Sequence, residues 1–151
     1  MKIHRMTAKD IDSVAAVDRQ CFSIPWSRQS FAEEMENEIA VYFTASEDGQ
    51  IIGYCGFWIV ADEGDITNIA VLPQYRRRGV GSRLLETMIA EAQSLSLELL
   101  TLEVRRSNEP AKQLYSSYGF KQIGERRRYY SDNNEDALIM MKTLKDKSGH
   151  L

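Results

Sequence analysis

The stretch from Asp65 to Val104 restricts the possible folds more than any other part of the chain. Asp65 to Leu72 reads as a strand stopped by Pro73, and a loop rich in arginine and glycine follows. Val80, Leu84, Leu85, Met88, Ile89, Ala92 and Leu95 then recur at the spacing of one helix face. Leu99 to Val104 is a short apolar strand. Strand, long helix and strand in that order form a β-α-β unit.

Hairpins flank this unit. Lys2 to Met6 reads as a strand, and Thr7 with Asp10 forms a capping box ahead of a helix carrying Ile11, Val14, Ala15, Asp18 and Phe22. Pro25-Trp26-Ser27 breaks that helix, and Ser27 caps a second one with Phe31 and Met35. The strands Ala40 to Ser46 and Ile51 to Val60 meet at Asp48-Gly49, a strong hairpin signal. A turn is expected at Asp62-Glu63-Gly64. A helix starts near Pro110, buries Ala111, Leu114, Tyr115 and Tyr118, and stops at Gly119. Phe120 to Tyr130 and Ala137 to Leu144 read as a closing hairpin, and Lys145 to Leu151 as a frayed tail. The order β-α-α-β-β-β-α-β-α-β-β specifies an α/β fold with a mixed, mostly antiparallel sheet and helices packed on it. Residues 1–151 form one domain on this reading, without repeats or linkers.

Composition excludes several function classes. The 19 Lys+Arg against 22 Asp+Glu give a net charge of −3, without the basic footprint of a nucleic-acid binder. Cys21 and Cys55 are too few for a disulfide scaffold and lack metal-site spacing, so both are expected to be buried free thiols and no metal is expected. A cytoplasmic protein is the resulting expectation. No stretch approaches the roughly 20 apolar residues that span a bilayer.

Three places carry chemistry. In Arg76-Arg77-Arg78-Gly79-Val80-Gly81-Ser82 a strand end runs into a helix start, where free N–H groups and the helix dipole favour an anion. Gly79 and Gly81 admit a phosphate close to the backbone, and the arginines add charge. The alternative is a tight turn before a helix. Glu103 interrupts an apolar strand; buried without a cation it would suit a general base, whereas pairing with Arg105 or Arg106 would make it structural. Asn108 and Tyr115 read alone as a cap and a buried aromatic.

Together these pieces resemble the GCN5-related N-acetyltransferase (GNAT) superfamily over nearly the whole chain. Its pyrophosphate signature stands here as Arg76-Arg77-Arg78-Gly79-Val80-Gly81. Glu103 to Ala111, continuing through Leu114-Tyr115 and Tyr118-Gly119-Phe120, is similar to the bacterial ribosomal-protein-alanine N-acetyltransferases of the RimI type. Phe22 to Ser27, Asn68 to Val71, Arg128-Tyr129-Tyr130 and Glu135 to Met140 match that subgroup too.

The resemblance implies a GNAT fold with helices on both faces and acetyl-CoA as donor. Ile69, Ala70 and Val71 would offer backbone groups to the acetyl-pantetheine arm, and Val71 N–H would face the oxyanion. Arg77, Arg78, Gly79, Val80, Gly81 and Ser82 would hold the pyrophosphate, and Asn108 would contact pantetheine. Glu103 would be the base for the acceptor amine and Tyr115 the acid for the leaving thiolate. The acceptor implied is the N-terminal alanine of a ribosomal protein, small-subunit protein eighteen. Phe22 to Ser27 and Arg126 to Asp132 would wall its groove, and Asp62, Glu63 and Asp65 would favour a basic peptide. Acetylation of lysine or a small amine is the competing reading, and a non-catalytic acetyl-CoA-binding module the third. The Arg126-Arg127-Arg128 cluster is expected to be a solvated strand face, and the protein a monomer or weak dimer.

Overall fold

The computed structural model describes residues 1–144, and the expected tail at residues 145–151 lies outside them. The elements follow the expected order: β1 (Lys2–Arg5), α1 (Ile11–Cys21), α2 (Arg28–Met35), β2 (Ala40–Glu47), β3 (Gln50–Val60), β4 (Glu63–Val71), α3 (Val80–Ser94), β5 (Leu99–Arg105), α4 (Glu109–Ser117), β6 (Lys121–Tyr130) and β7 (Glu135–Thr143). The strands form one seven-stranded sheet in the order β1-β2-β3-β4-β5-β7-β6. All neighbours are antiparallel except β4 and β5, the two strands of the β-α-β unit.

Adjacent residues of β3 identify the two faces. The Tyr54 hydroxyl donates to Asp18 of α1, whereas the Cys55 Sγ lies 3.8 Å from the Leu84 carbonyl of α3. Successive strand residues point to opposite sides, so α1 and α3 cover opposite faces of the sheet. Leu114 of α4 packs beside Gly81 of α3, which places α4 on the α3 side. The α3 stripe is buried from Val80 to Ala92, but Leu95 is 44% exposed. The helix ends there, and Leu97 on the returning chain is buried instead. No helix of the described residues is long and apolar enough to cross a membrane.

Local chemistry explains the connections. Asp48 and Gly49 both have positive φ, the conformation a two-residue hairpin turn with the right twist requires. The Asp10 carboxylate accepts the Thr7 N–H at 2.9 Å, but this cap opens a 3₁₀ turn at Ala8–Asp10, and α1 begins only at Ile11. The turn expected at Asp62-Glu63-Gly64 falls one step earlier, at Ala61-Asp62. Gly64 is instead a buried strand residue, where a Cβ would meet Leu100 Cδ2 at 2.6 Å. A turn glycine and a close-packing glycine look alike in a sequence.

Two irregularities position the site. Gly56 pairs with Asn68 but Phe57 pairs with Ile66, so Thr67 is an extra residue that bulges β4. Beyond Asp65↔Thr101, β4 and β5 make no further pairs, and the sheet opens between them.

Candidate active site

The opening between β4 and β5 exposes main-chain groups that a closed sheet would pair. Leu72 N–H donates to the Ile52 carbonyl at 2.8 Å, and the register Gly53↔Val71, Tyr54↔Ala70 and Cys55↔Ile69 continues from there. Antiparallel alternation gives Ala70 to the β3 ladder and turns the backbone groups of Ile69 and Val71 toward β5. Ala70 therefore differs from the expectation that it offers backbone groups with its neighbours. The Val71 carbonyl accepts from Arg76 Nε at 3.0 Å and Cys21 Sγ at 3.3 Å. Val71 N–H and both polar groups of Ile69 remain directed into the opening. Asn68 Oδ1, at the bulge, is buried without a hydrogen-bond partner among the described residues.

The arginine–glycine loop stands at one end of this opening. Gly79 caps α3 with φ +81°, and Arg77 is also left-handed at +64°. Arg83 N–H is bonded to the Gly79 carbonyl at 3.0 Å, so the N–H groups of Val80, Gly81 and Ser82 remain for a ligand. Arg76, Arg77 and Arg78 are exposed, and none forms a salt bridge with a carboxylate among the described residues. A Cβ at Gly81 would meet only ordinary contacts, Leu114 at 3.5 Å and Val71 at 4.0 Å. Protein packing does not require glycine there, and the backbone stays open to an anion. These groups fit a pyrophosphate.

Glu103 and Tyr115 flank the opening from opposite sides. Leu100, Leu102 and Val104 are buried, with Leu100 beside Gly64 and Phe57 on the α3 side. The alternating residues Thr101, Glu103 and Arg105 therefore face the α1–α2 side. Tyr115 comes from α4 on the other side, buried against Phe120 with ring centroids 5.8 Å apart. Burial pushes its phenol well up, and the neighbouring Tyr130 and Cys55 add to this. The shift moves Tyr115 away from a thiol's range rather than toward it. It also keeps the proton on Tyr115 throughout neutral pH.

Glu103 is not the unpaired carboxylate its apolar strand suggests. Arg126 of β6 donates to its Oε2, and neither Arg105 nor Arg106 is its partner. Arg105 binds Asp132 at 2.8 Å and Glu135 at 3.3 Å, while Arg106 pairs with Glu125 and Asp136. Asp65 is a second acid at the same place, hydrogen-bonded by Thr101 at 3.2 Å. Partial loss of water raises the Asp65 pKa, and Glu103 raises it further against the lowering effects of Thr101 and Arg126. Arg126 leaves the trio with one net negative charge. The arginine cluster thus contains a residue of the site, contrary to a purely solvated strand face.

The expected acceptor walls meet across the α1–α2 side. Ser23 Oγ donates to Asp132 at 2.5 Å, joining the α1–α2 loop to the β6–β7 turn. Arg105 lies 4.0 Å from the Tyr130 ring centroid and ties the hairpin to β5. Asp18 holds the loop from beneath through the Trp26 N–H at 2.8 Å. The sequence signalled Asp18 only as a charge on an apolar stripe, Arg105 only as a possible partner of Glu103, and Asp132 only as the end of an expected groove wall. Asn108 caps α4 by accepting Ala111 N–H at 3.2 Å, so its amide nitrogen is the group left for a ligand. Cys55 is buried as expected, but Cys21 is only half-buried. Among the described residues no cluster of His, Cys, Asp and Glu could hold a metal.

Comparison with known proteins gives consistent results. Residues 11–120 match the model of the acetyltransferase (GNAT) family. A Bacillus subtilis protein provisionally named [ribosomal protein bS18]-alanine N-acetyltransferase is 41% identical over 95% of this chain and 96% of its own. The Escherichia coli K12 protein named [ribosomal protein bS18]-alanine N-acetyltransferase is 36% identical over 91% of this chain and 94% of its own. The crystal structure of the ribosomal-protein-S18-alanine N-acetyltransferase from Escherichia coli superposes with a TM-score of 0.90 at 34% identity, covering 99% of this chain and 97% of that one.

Proposed function

Because this chain belongs to the GNAT acetyltransferase family, we propose that it transfers the acetyl group of acetyl-CoA to the N-terminal α-amine of a protein, the alanine of ribosomal protein bS18. The observation that carries this reading is the β4–β5 opening, with Glu103 on one face of the sheet and Tyr115 on the other. Donor and acceptor can then approach from opposite sides and meet in the gap, which suits direct transfer.

Acetyl-CoA supplies an activated acetyl group as a thioester. Arg77, Arg78 and the N–H groups from Gly79 to Ser82 hold the pyrophosphate. The backbone of Ile69 lies along the pantetheine arm as an added strand would, and the Asn108 amide nitrogen contacts it. Val71 N–H donates to the acetyl oxygen as charge develops there. Glu103 accepts the acceptor's proton, directly or through water, and Tyr115 delivers its own to the departing sulfur.

Amine chemistry supports an α-amine independently. Only the neutral amine attacks a thioester, and an α-amine of pKa about 7.9 is roughly 10% neutral at pH 7. Lysine at about 10.4 is roughly 0.04% neutral, a handicap of about 3.4 kcal/mol. Asp65 adds a second acid beside Glu103, and Arg126 offsets its charge in the free protein.

The test is competition at pH 7 between two peptides. One has a free N-terminal alanine and no lysine; the other is its N-acetylated counterpart with an internal lysine. The first is expected to take nearly all the acetyl. A comparable rate on the second would replace the α-amine reading with the lysine one.

A further inference from the structure

Arg126 sits where a substrate cation should. Its Nε donates to Glu103 Oε2, Asp65 lies within electrostatic reach, and its Cζ is 6.0 Å from the Tyr129 ring centroid. Two carboxylates and an aromatic ring around one cation also provide the surroundings that a primary ammonium needs. At pH 7 an α-amine arrives about 90% protonated, so the acceptor brings a cation to this same carboxylate.

The guanidinium is held in a way that permits release. The Arg126 side chain is 59% exposed, against 27% for Glu103. Arg126↔Ala137 is the last regular pair before residues 127–129 leave the β6–β7 ladder, and Arg128 there has φ +52°. Arg126 therefore stands at the edge of an irregular stretch, its side chain more exposed than the Glu103 it binds. The guanidinium occupies the approach to Glu103 Oε2, the oxygen for which an incoming ammonium would compete.

We propose that Arg126 occupies the acceptor's ammonium seat in the free enzyme and is displaced when the acceptor binds. Arg126 is thus an internal competitor that sets acceptor affinity. It favours amines that reach Glu103 as cations in a groove long enough to hold the rest of the peptide. The inference rests on the acetyl-transfer reading, because it needs Glu103 to face an amine.

The experiment compares wild type, Arg126→Gln, Arg126→Ala and Arg126→Lys on a synthetic peptide with a free N-terminal alanine. Breaking a half-exposed ion pair is no longer required in Gln and Ala, so their KM for the peptide should fall about two- to fivefold. Their KM for acetyl-CoA should not change, and Arg126→Lys should return the peptide KM toward wild type. Calorimetric binding of the peptide to the CoA-loaded protein should tighten by the same factor, independently of turnover. Circular dichroism and thermal melts check that the variants are folded. An unchanged or raised peptide KM in folded Gln and Ala variants overturns the proposal. So does a fall in kcat at constant KM that Lys rescues, which would make Arg126 a positioning residue for Glu103. If the wild type fails to acetylate the peptide at all, the function reading falls and this inference with it.

Discussion

Asp18 is a carboxylate with 1% exposure, held by the Tyr54 hydroxyl and the Trp26 N–H. Burial raises its pKa, and those two hydrogen bonds lower it only in part. The folded state then binds the Asp18 proton more tightly than the unfolded chain. Its contribution to stability falls as pH rises from the ordinary carboxylate value through the raised folded value, and is constant above that. Asp18→Asn should remove this decline, visible in urea melts between pH 4 and 7 as a stability profile flatter than that of wild type. Asp18→Ala strands two donors beneath the α1–α2 loop and should cost about 2–4 kcal/mol, measured by the same melts. At this scale the sequence was legible where the signal is local. Gly119 has the positive φ of a helix stop, and Asn108 caps α4. It was not legible for Glu103, because the partner comes from β6, twenty-three positions later. Linear spacing offered Arg105 and Arg106, but carboxylates of the β6–β7 hairpin take both: Asp132 and Glu135 bind Arg105, and Glu125 and Asp136 bind Arg106.

Elements give separable tests of the cofactor loop and the opening. Gly81→Ala meets only ordinary contacts and should fold and still bind acetyl-CoA. Gly81→Glu should fold equally well yet lose binding, because it adds bulk and negative charge at the α3 N-terminus. Calorimetry on both variants decides it; retained affinity in folded Gly81→Glu would place the pyrophosphate elsewhere. Gly53 differs, since its Cβ would lie 2.8 Å from the Ala70 carbonyl oxygen, a backbone atom of the β4 rim. Gly53→Ala should cost about 1–3 kcal/mol in denaturant melts and raise the KM for acetyl-CoA. The loop could be read in advance because strand end, glycines and helix start are consecutive in the chain. The bulge at Thr67 could not, because it exists only in the register of β4 against β3.

For the whole molecule, the order of strands and helices followed from periodicity and turn residues, since each element is encoded by neighbours in sequence. The insertion of β7 between β5 and β6 is a matter of long-range pairing that a hairpin signal leaves open. The same parity that separates α1 from α3 also puts Glu103 and Tyr115 on opposite faces, so the proton-accepting and proton-donating roles proposed for them should fail independently. That claim is tested most directly by the pH dependence of turnover for wild type, Glu103→Gln and Tyr115→Phe on a peptide with an N-terminal alanine. At pH 7 each variant should turn over roughly 10²- to 10⁴-fold more slowly, with acetyl-CoA affinity little changed. Raising the pH should partly restore Glu103→Gln, because more of the amine is already neutral, and should leave Tyr115→Phe slow. Near-wild-type rates in both variants, or profiles that run parallel, would contradict a base and an acid working from opposite faces of the sheet.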